Sequence, residues 1–484
     1  MKIKFPPGWL LSLGFLLVLC CSTATLRAQS PVALQVDIAH PGRAMPADFC
    51  GLSYEIKMVL PGVTTGRHYF SPGNEALIST FKTLGVKHLR VGGNTAERAT
   101  VPIPDTPDID SLFGFAQAAD IKVIYTVRME GNTPAAAASV AKYVMDHYRD
   151  HVSCLTVGNE PDKPWKYPAY LEEWKKFTAV ILAPDCVPDA KFCGPSARQQ
   201  CVEFAKLFAG DMGGWDHLAF VTQHFYARGD GNKVTAADSA EARARLLSPD
   251  IHEVYQKFYD AFVPAAKAKG TDYRLEEANS YSLGGAVGAS DTFTASLWSV
   301  DYLYWWAWHD ALGINFHTGE KLKRGLPGPE KPNVYTALTS SPKGIKVLPL
   351  GYGVKLFNLG SRGRLVPVNV ASNPDNLNLA VYGTIDSDRT LHLTVLNKEY
   401  GPAGRAAKLV INSGLPGARG KIIFMSAPAG DIAAIKGVTI GGEGIKEDGS
   451  WDGKWSDLPA ASADGSVTVV VPAASAAVIE LQGK

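Results

Sequence analysis

Two stretches of the chain end an apolar run on a carboxylate. "SCLTVGNEPD" (153–162) closes on Gly158-Asn159-Glu160, with Pro161 directly behind. "YRLEEAN" (273–279) closes on Glu276-Glu277-Ala278-Asn279. Two acids at the ends of separate buried strands can face one cleft. One carboxyl held protonated and one held ionised is the equipment for breaking a glycosidic bond. The first protonates the departing oxygen, and the second meets the oxocarbenium-like centre. Asn159 would place an amide in reach of a sugar hydroxyl, and Pro161 restricts the backbone where Glu160 turns outward. The bland alternative is an ordinary turn with a solvated Glu160. The Gly-Asn-Glu-Pro run is the more specific of the two signals. Glu277 adjoins Glu276, and alternation identifies the working one only if the inward-facing register is known.

Elements that could carry these acids repeat from about residue 48 to 318. Eight short apolar runs are separated by stretches with helical periodicity. The runs are "DFCGLSYEI" (48–56), "VKHLRVGG" (86–93), "KVIYTVRM" (122–129), "SCLTVGNE" (153–160), "AKFCGPS" (190–196), "HLAFVTQHFY" (217–226), "YRLEEAN" (273–279) and "LGINFHT" (312–318). Helices are expected over 74–84, 134–150, 168–182, 249–270 and 291–310. The last of these is rich in Tyr and Trp and reads as a buried helix. Eight strand–helix repeats fit an α/β fold of the (β/α)₈ barrel type, with the active site at the C-terminal strand ends. A doubly wound open sheet fits the alternation equally well. In a barrel the strand ends would gather Glu55, Arg90, Asn94, Asn159, Glu160, His224, Tyr226, Glu276, Glu277 and His317.

Beyond residue 346 the pattern changes to short strands parted by turns rich in Gly, Pro, Asn and Asp, as in an antiparallel β-sandwich. "ALQVDI" (33–38) has no barrel partner and is expected to join that sandwich. The resulting division is an export signal over 1–28, a joining strand over 29–47, a catalytic barrel over 48–345 and a β-sandwich domain over 346–484.

The first residues have the three parts of a secretory signal: Lys2 and Lys4, an apolar run from Trp9 to about Cys21, then small and polar residues. The run is short for a membrane span. Cleavage after Ala28 removes three cations and no acid, taking the net charge from +1 to −2. A secreted or periplasmic protein follows, with no membrane attachment after cleavage, and a monomer is expected. With 46% hydrophobic and 20% charged residues and no basic cluster, the chain reads as soluble and globular, without a nucleic-acid partner. Five of the seven cysteines survive cleavage, and a disulfide is most simply placed among Cys186, Cys193 and Cys201. No metal or cofactor is expected: the chain lacks zinc-site cysteine spacing, His-Glu-Xaa-Xaa-His, a Walker loop, a dinucleotide fingerprint and a Gly-Xaa-Ser-Xaa-Gly elbow.

Six motifs in order then resemble glycoside hydrolase family 79, the bacterial β-glucuronidases and heparanase-like enzymes of clan A: "FCGLSYE", "LRVGGNTAE", "TVGNEPD", "TQHFYARG", "LEEANSYSLGG" and "LPLGYGVKLFNLG". The resemblance implies a barrel with a β-sandwich and a retaining mechanism, with Glu160 as acid/base and Glu277 as nucleophile. It implies that Glu55 and Asn94 contact the sugar's ring hydroxyls, that Tyr226 hydrogen-bonds the nucleophile, and that Gly284, Gly285 and Tyr352 hold the uronate carboxylate. Asn159, His224 and Tyr281 are further expected substrate contacts. The glycine pair stands one residue farther from Glu277 than in heparanase-like sequences. There is also no excised linker and no long basic tract, so the small exo-acting β-glucuronidases are the better match. Rival expectations are a heparanase-like endo-β-glucuronidase, a retaining xylosidase or glucosidase, and a non-catalytic carbohydrate-binding protein.

Overall fold

The computed structural model describes residues 30–62, 65–320 and 333–483. The expected export signal lies outside the described residues. Among them, no helix is long and apolar enough to cross a membrane.

Strand β1 (Val32–Val36) comes first. Eight parallel strands then close into a barrel: β2 (Cys50–Glu55), β3 (His88–Gly92), β4 (Lys122–Val127), β5 (Val152–Val157), β6 (Phe192–Ala197), β7 (Leu218–Tyr226), β8 (Tyr273–Asn279) and β9 (Ile314–His317). All eight runs expected from the sequence are these strands, and the doubly wound alternative is overturned by the β2–β9 pairing that closes the ring. The helices are α1 (Glu75–Leu84), α2 (Thr106–Ala119), α3 (Pro134–Tyr148), α4 (Tyr167–Ile181), α5 (Val202–Met212), α6 (Ser239–Leu247), α7 (Ile251–Lys267), α8 (Phe293–Trp308) and α9 (Pro349–Gly360).

Local chemistry sets several helix ends. The Asn74 side chain accepts from Leu77 N at the start of α1, and Gly85, at φ +74°, ends it in the left-handed conformation. Asp105 and Asp108 form a reciprocal capping box on α2. Helices α2, α5, α6 and α9 were not expected from the sequence. In α2 the acidic, proline-containing start masks an apolar face at Ile109, Leu112, Phe113 and Ala116, whose spacing is that of one helix side.

After the hairpin β10 (Leu338–Ser341) and β11 (Gly344–Val347) comes the second layer. Its strands are β12 (Arg364–Val366), β13 (Val368–Ser372), β14 (Leu379–Ile385), β15 (Thr390–Asn397), β16 (Ala407–Asn412), β17 (Arg419–Ser426), β18 (Thr439–Ile440), β19 (Ser456–Leu458), β20 (Ser466–Val471) and β21 (Ser475–Gln482). One sheet runs β13-β1-β16-β20; the other runs β12-β14-β15-β21-β17-β18, with β19 paired to β17. Strand β1 sits inside the first sheet, antiparallel to β13 but parallel to β16, so that sheet is mixed. Val32, Leu34 and Val36 fill one apolar core between the two sheets.

A second core joins barrel, α8, α9 and the opposite, barrel-side face of the larger sheet. The aromatic stretch is this junction: Tyr302, Tyr304 and Trp306 of α8 are fully buried, and Tyr304 Oη pairs with Thr394 Oγ1 of β15 at 2.8 Å. Asp301 of α8 meets Lys398 Nζ at 2.9 Å and accepts from Tyr382 Oη at 2.5 Å, a buried polar link between the layers.

All five described cysteines are free thiols, which corrects the expected pairing. Cys193 lies wholly buried on β6 in a small cluster with Ile124, Cys154 and Phe220, whereas Cys186 and Cys201 are partly exposed.

Candidate active site

The barrel interior is lined with buried polar side chains. Ser53, His88, Arg90, Thr126, His224, Arg274, Glu276 and Asn315 are each under 3% exposed. Near the N-terminal strand ends Arg274 Nε donates to Asn315 Oδ1 (2.8 Å), and Asn315 Nδ2 pairs with His88 Nδ1 (2.9 Å). Strict alternation on β8 would send Arg274 and Glu276 inward and Glu277 outward. A β-bulge changes this. Thr222 and His224 of β7 pair with Arg274 and Glu277, so an advance of two residues on β7 matches three on β8; Leu275 and Ala278 pair with Ile314 and Phe316 of β9, again three on β8 against two. The extra residue on β8 turns both Glu276 and Glu277 toward the barrel axis, Glu276 deeper and Glu277 at the mouth.

Glu277 sits among four donors or cations. Arg90 Nη1 donates to Oε2 at 2.8 Å and Tyr226 Oη donates to Oε1 at 2.7 Å. His224 Nδ1 lies 3.6 Å from Oε1, and His317 Nδ1 lies 3.7 Å from Oε2. Burial alone raises the carboxyl's pKa. The charges of His224, His317 and Arg90 and the Tyr226 hydrogen bond outweigh it and hold the group well below the usual carboxylate range. Glu277 is therefore ionised and aimed. Arg90 also reaches Asn159 Oδ1 (2.5 Å) and Ser53 Oγ (3.2 Å), so one guanidinium ties three strand ends together.

Glu160 follows β5 with φ +49°, a left-handed conformation costing a side-chain-bearing residue roughly 1–2 kcal/mol. Its N–H donates to Ser196 O (2.9 Å), which holds the turn. Gly158, at φ +82°, starts the reversal, and its Cβ position would meet Met129 at 3.2 Å. The Glu160 carboxylate contacts Lys163 Nζ, and its Oε1 lies 3.3 Å from His224 Nδ1. One carboxylate oxygen of Glu160, one of Glu277 and a ring nitrogen of His224 all lie within 4.8 Å of one another.

That trio has the atoms of a metal site but not its chemistry. Burial pushes the His224 ring down, yet the charge of Glu277 and the contacts to Glu160 and Glu276 override it and raise its pKa to about 10. A doubly protonated imidazole has no lone pair for a cation, and Arg90 and Lys163 already lie against Glu277 and Glu160.

These groups open on a cavity of about 560 Å³. Of the residues singled out from sequence, Glu55, Asn94, Glu160, His224, Tyr226, Glu277, Gly284 and His317 line it. Glu55 accepts from Thr95 N and Oγ1, both at 2.7 Å; burial raises its pKa, and His317 and Thr95 more than offset that. Asn94 accepts from Lys163. Asn159 is held beneath the wall by Arg90.

Three expected contacts fall elsewhere. Tyr281 is buried in the core with its hydroxyl on Ala242 O (3.3 Å). Tyr352 lies on α9 against the second layer, where its hydroxyl accepts from Ile445 N (3.1 Å). Gly285 packs behind the wall, where an added Cβ would meet Ser290 and Tyr335 N at 2.9–3.0 Å. The tyrosine that does line the cavity beside Gly284 is Tyr335, its ring 6.1 Å from that of Tyr226. No motif marked it, because "NVYTAL" follows a segment without strand or helix periodicity. Four cations also line the cavity: Lys57, Arg98, Lys163 and Arg198. They come from four separate segments, so no basic cluster shows in the sequence.

No protein-family model matches the chain, and no curated protein matches it. Solved structures do. A 4-O-α-L-rhamnosyl-β-D-glucuronidase from Fusarium oxysporum 12S, in complex with Rha-GlcA, superposes with a TM-score of 0.68 at 17% identity, covering 93% of this chain and all of that one. The GH51 arabinofuranosidase from Xanthomonas axonopodis pv. citri gives 0.67 at 13% identity, with the same coverage. The GH39 enzyme of that organism gives 0.61 at 14% identity, covering 96% of this chain and 99% of that one. At these identities the likeness is one of fold: a (β/α)₈ barrel with an accompanying antiparallel layer, as in glycoside hydrolases.

Proposed function

We propose that the chain is a retaining exo-β-glucuronidase, with Glu277 as nucleophile and Glu160 as acid/base. The observation carrying this reading is that one oxygen of each carboxylate comes within 4.8 Å of the other, so the two acids face one another across a gap of about one sugar atom. Retaining enzymes hold theirs about 5–5.5 Å apart, and inverting ones about 6.5–9.5 Å to admit a water. Glu277 attacks the anomeric carbon while Glu160 protonates the departing oxygen; Glu160 then takes a proton from the water that releases the sugar with its configuration retained. The donor set around Glu277 keeps it ionised, as attack requires.

A uronate fits the cavity's charge. Four cations line it with four acids; Lys163 and Arg198 pair with Glu160 and Asp162, which leaves Lys57 and Arg98 for the uronate, and Gly284 with Tyr335 takes the place of the tyrosine expected from sequence beside the sugar's C5 carboxylate. The barrel around this cavity is the catalytic unit and the β-sandwich its support. The exported monomer would meet its glycoside outside the cytoplasm. The same four cations favour a second reading, an endo-acting enzyme on a uronate polymer.

The test is hydrolysis of aryl β-glucuronide beside aryl β-glucoside, β-xyloside and α-L-arabinofuranoside, with the product anomer followed by NMR. Glucuronide turnover with β-glucuronate formed first supports the proposal. Faster turnover of a neutral glycoside overturns the uronate assignment. An α product overturns retention, and sugar binding without hydrolysis overturns the enzyme. Chromatography of a uronate oligosaccharide digest separates monosaccharide release from internal cleavage.

A further inference from the structure

Glu276 is a carboxylate of the barrel interior, beneath the cavity, that the proposed reaction does not use. It is completely buried, its two oxygens lack a hydrogen-bond partner among the described residues, and it lies between two cations. Its Oε2 is 3.8 Å from Arg90 Nε and its Oε1 is 3.7 Å from His224 Nε2. Both nitrogens are themselves without a hydrogen-bond partner among the described residues, and Glu276 is not among the residues that line the cavity. Their other ends do the visible work: Arg90 Nη1 on Glu277, and His224 Nδ1 toward both Glu160 and Glu277.

We infer that Glu276 is a positioning residue whose permanent negative charge keeps His224 an imidazolium through both halves of the reaction, so that the net charge around the ring is unchanged while charge passes from Glu277 to Glu160. The inference rests on the roles proposed above for those two glutamates. Before reaction, Arg90 and His224 carry two positive charges and Glu276 and Glu277 two negative ones, with Glu160 protonated. In the first step the bond from C1 to the aglycone oxygen breaks and a bond from C1 to a Glu277 oxygen forms. The proton of Glu160 goes to the aglycone oxygen. Glu277 is now a neutral ester and Glu160 a carboxylate. In the second step water bonds to C1, its proton goes to Glu160, and the ester bond returns its electron pair to Glu277. The count of charges is the same in both states, and only the carboxylate beside His224 Nδ1 has changed.

This geometry suits the task. His224 Nδ1 is 3.3 Å from Glu160 Oε1 and 3.6 Å from Glu277 Oε1, so one ring faces the negative charge in either location. A charge move of this kind inside a water-poor site is costly unless fixed groups of opposite sign already face both ends. The groups facing His224 are Glu160 after β5 and Glu276 and Glu277 on β8, with Arg90 of β3, Ser196 of β6, Tyr226 of β7 and His317 of β9 beside the two β8 glutamates. Glu276 is the acid among them that keeps its charge throughout. The bulge on β8 is what lets one strand present both acids to one cluster.

Two measurements test this, and they fail separately from the proposed activity. In the wild-type protein with ¹⁵N-labelled histidine, His224, identified by its loss in H224Q, should carry protons on both nitrogens at pH 8. A neutral ring at pH 8 overturns the inference whether or not the protein turns over any glycoside. In E276Q the high-pH limb of kcat/KM on aryl glucuronide should move down by a unit or more, with kcat reduced at least tenfold and KM within about twofold. E276D, which keeps the charge, should hold that limb at its wild-type position even where kcat falls. Equal profiles for wild type and E276Q, or equal shifts in E276Q and E276D, would show that only packing is at stake. Absence of turnover in the wild type itself would remove the proposed function and leave the imidazolium result standing.

Discussion

Arg90 of β3 donates to the Glu277 carboxylate of β8 at 2.8 Å across the barrel, with both side chains almost wholly buried. The guanidinium orients the acid and keeps it charged. R90M should therefore leave Glu277 buried without its charge partner, which costs about 3–5 kcal/mol of stability. Chemical denaturation of the variant at neutral pH reads this directly. A variant as stable as the wild type would mean that the pair is not buried as described.

Tyr226 Oη donates to the other oxygen of Glu277 at 2.7 Å. Hydrogen bonds to charged groups contribute about 1.5–3 kcal/mol, so Y226F should lower kcat/KM about ten- to a hundredfold. Y352F should leave kinetics unchanged, because its hydroxyl serves Ile445 N away from the cavity. Parallel kinetics on the two variants, with Y352F the more damaged, would restore the assignment expected from sequence.

Glu160 and Glu277 differ in what their loss should do. E160A should slow substrates with poor leaving groups by about a hundred- to ten-thousandfold, as loss of a general acid does, and activated aryl glucuronides far less in the first step. E277A should stop both. Azide should restore turnover in E160A with a β-azide product. A defect independent of leaving group would remove Glu160 from the acid role.

The Asp301–Lys398 link between α8 and the second layer should show in acid. Burial alone raises the Asp301 pKa, but Lys398, His252 and Tyr382 override it and hold the carboxyl far below its ordinary value of 3.8. The native state thus holds the deprotonated form more strongly than the unfolded chain does. Its stabilisation is complete above about pH 4 and is lost as pH falls further. K398M should destabilise the protein at pH 7 and flatten the loss of stability below pH 4, as followed by urea denaturation.

Glu97 should act with the opposite sign. Burial raises its pKa from 4.5 to about 7, despite hydrogen bonds from the Glu130 and Met129 N–H groups. The native state favours its protonated form, so its contribution to stability declines as pH rises from 4.5 to 7. E97Q should remove that decline. An unchanged slope in urea denaturation between pH 5 and 7 would show that the site is wetter than its burial implies.

The chain's pattern of residues by itself determined the eight barrel strands, the β-rich tail, the place of Glu160 at a strand end and the neighbourhood of Glu55, Asn94, His224 and Tyr226. These follow from local periodicity and from the rule that barrel strand ends share one mouth. Tertiary structure alone decided what depends on register and on approach through space. The bulge on β8 admits both Glu276 and Glu277 to the interior, which no alternation rule could show, because the extra residue is defined only against β7 and β9. Tyr335 rather than Tyr352 reaches the cavity, since that depends on where a long connection returns. Four cations distant in sequence converge on one opening, and β1 inserts parallel to β16, because both are contacts between segments that carry no mark of each other until the chain is folded.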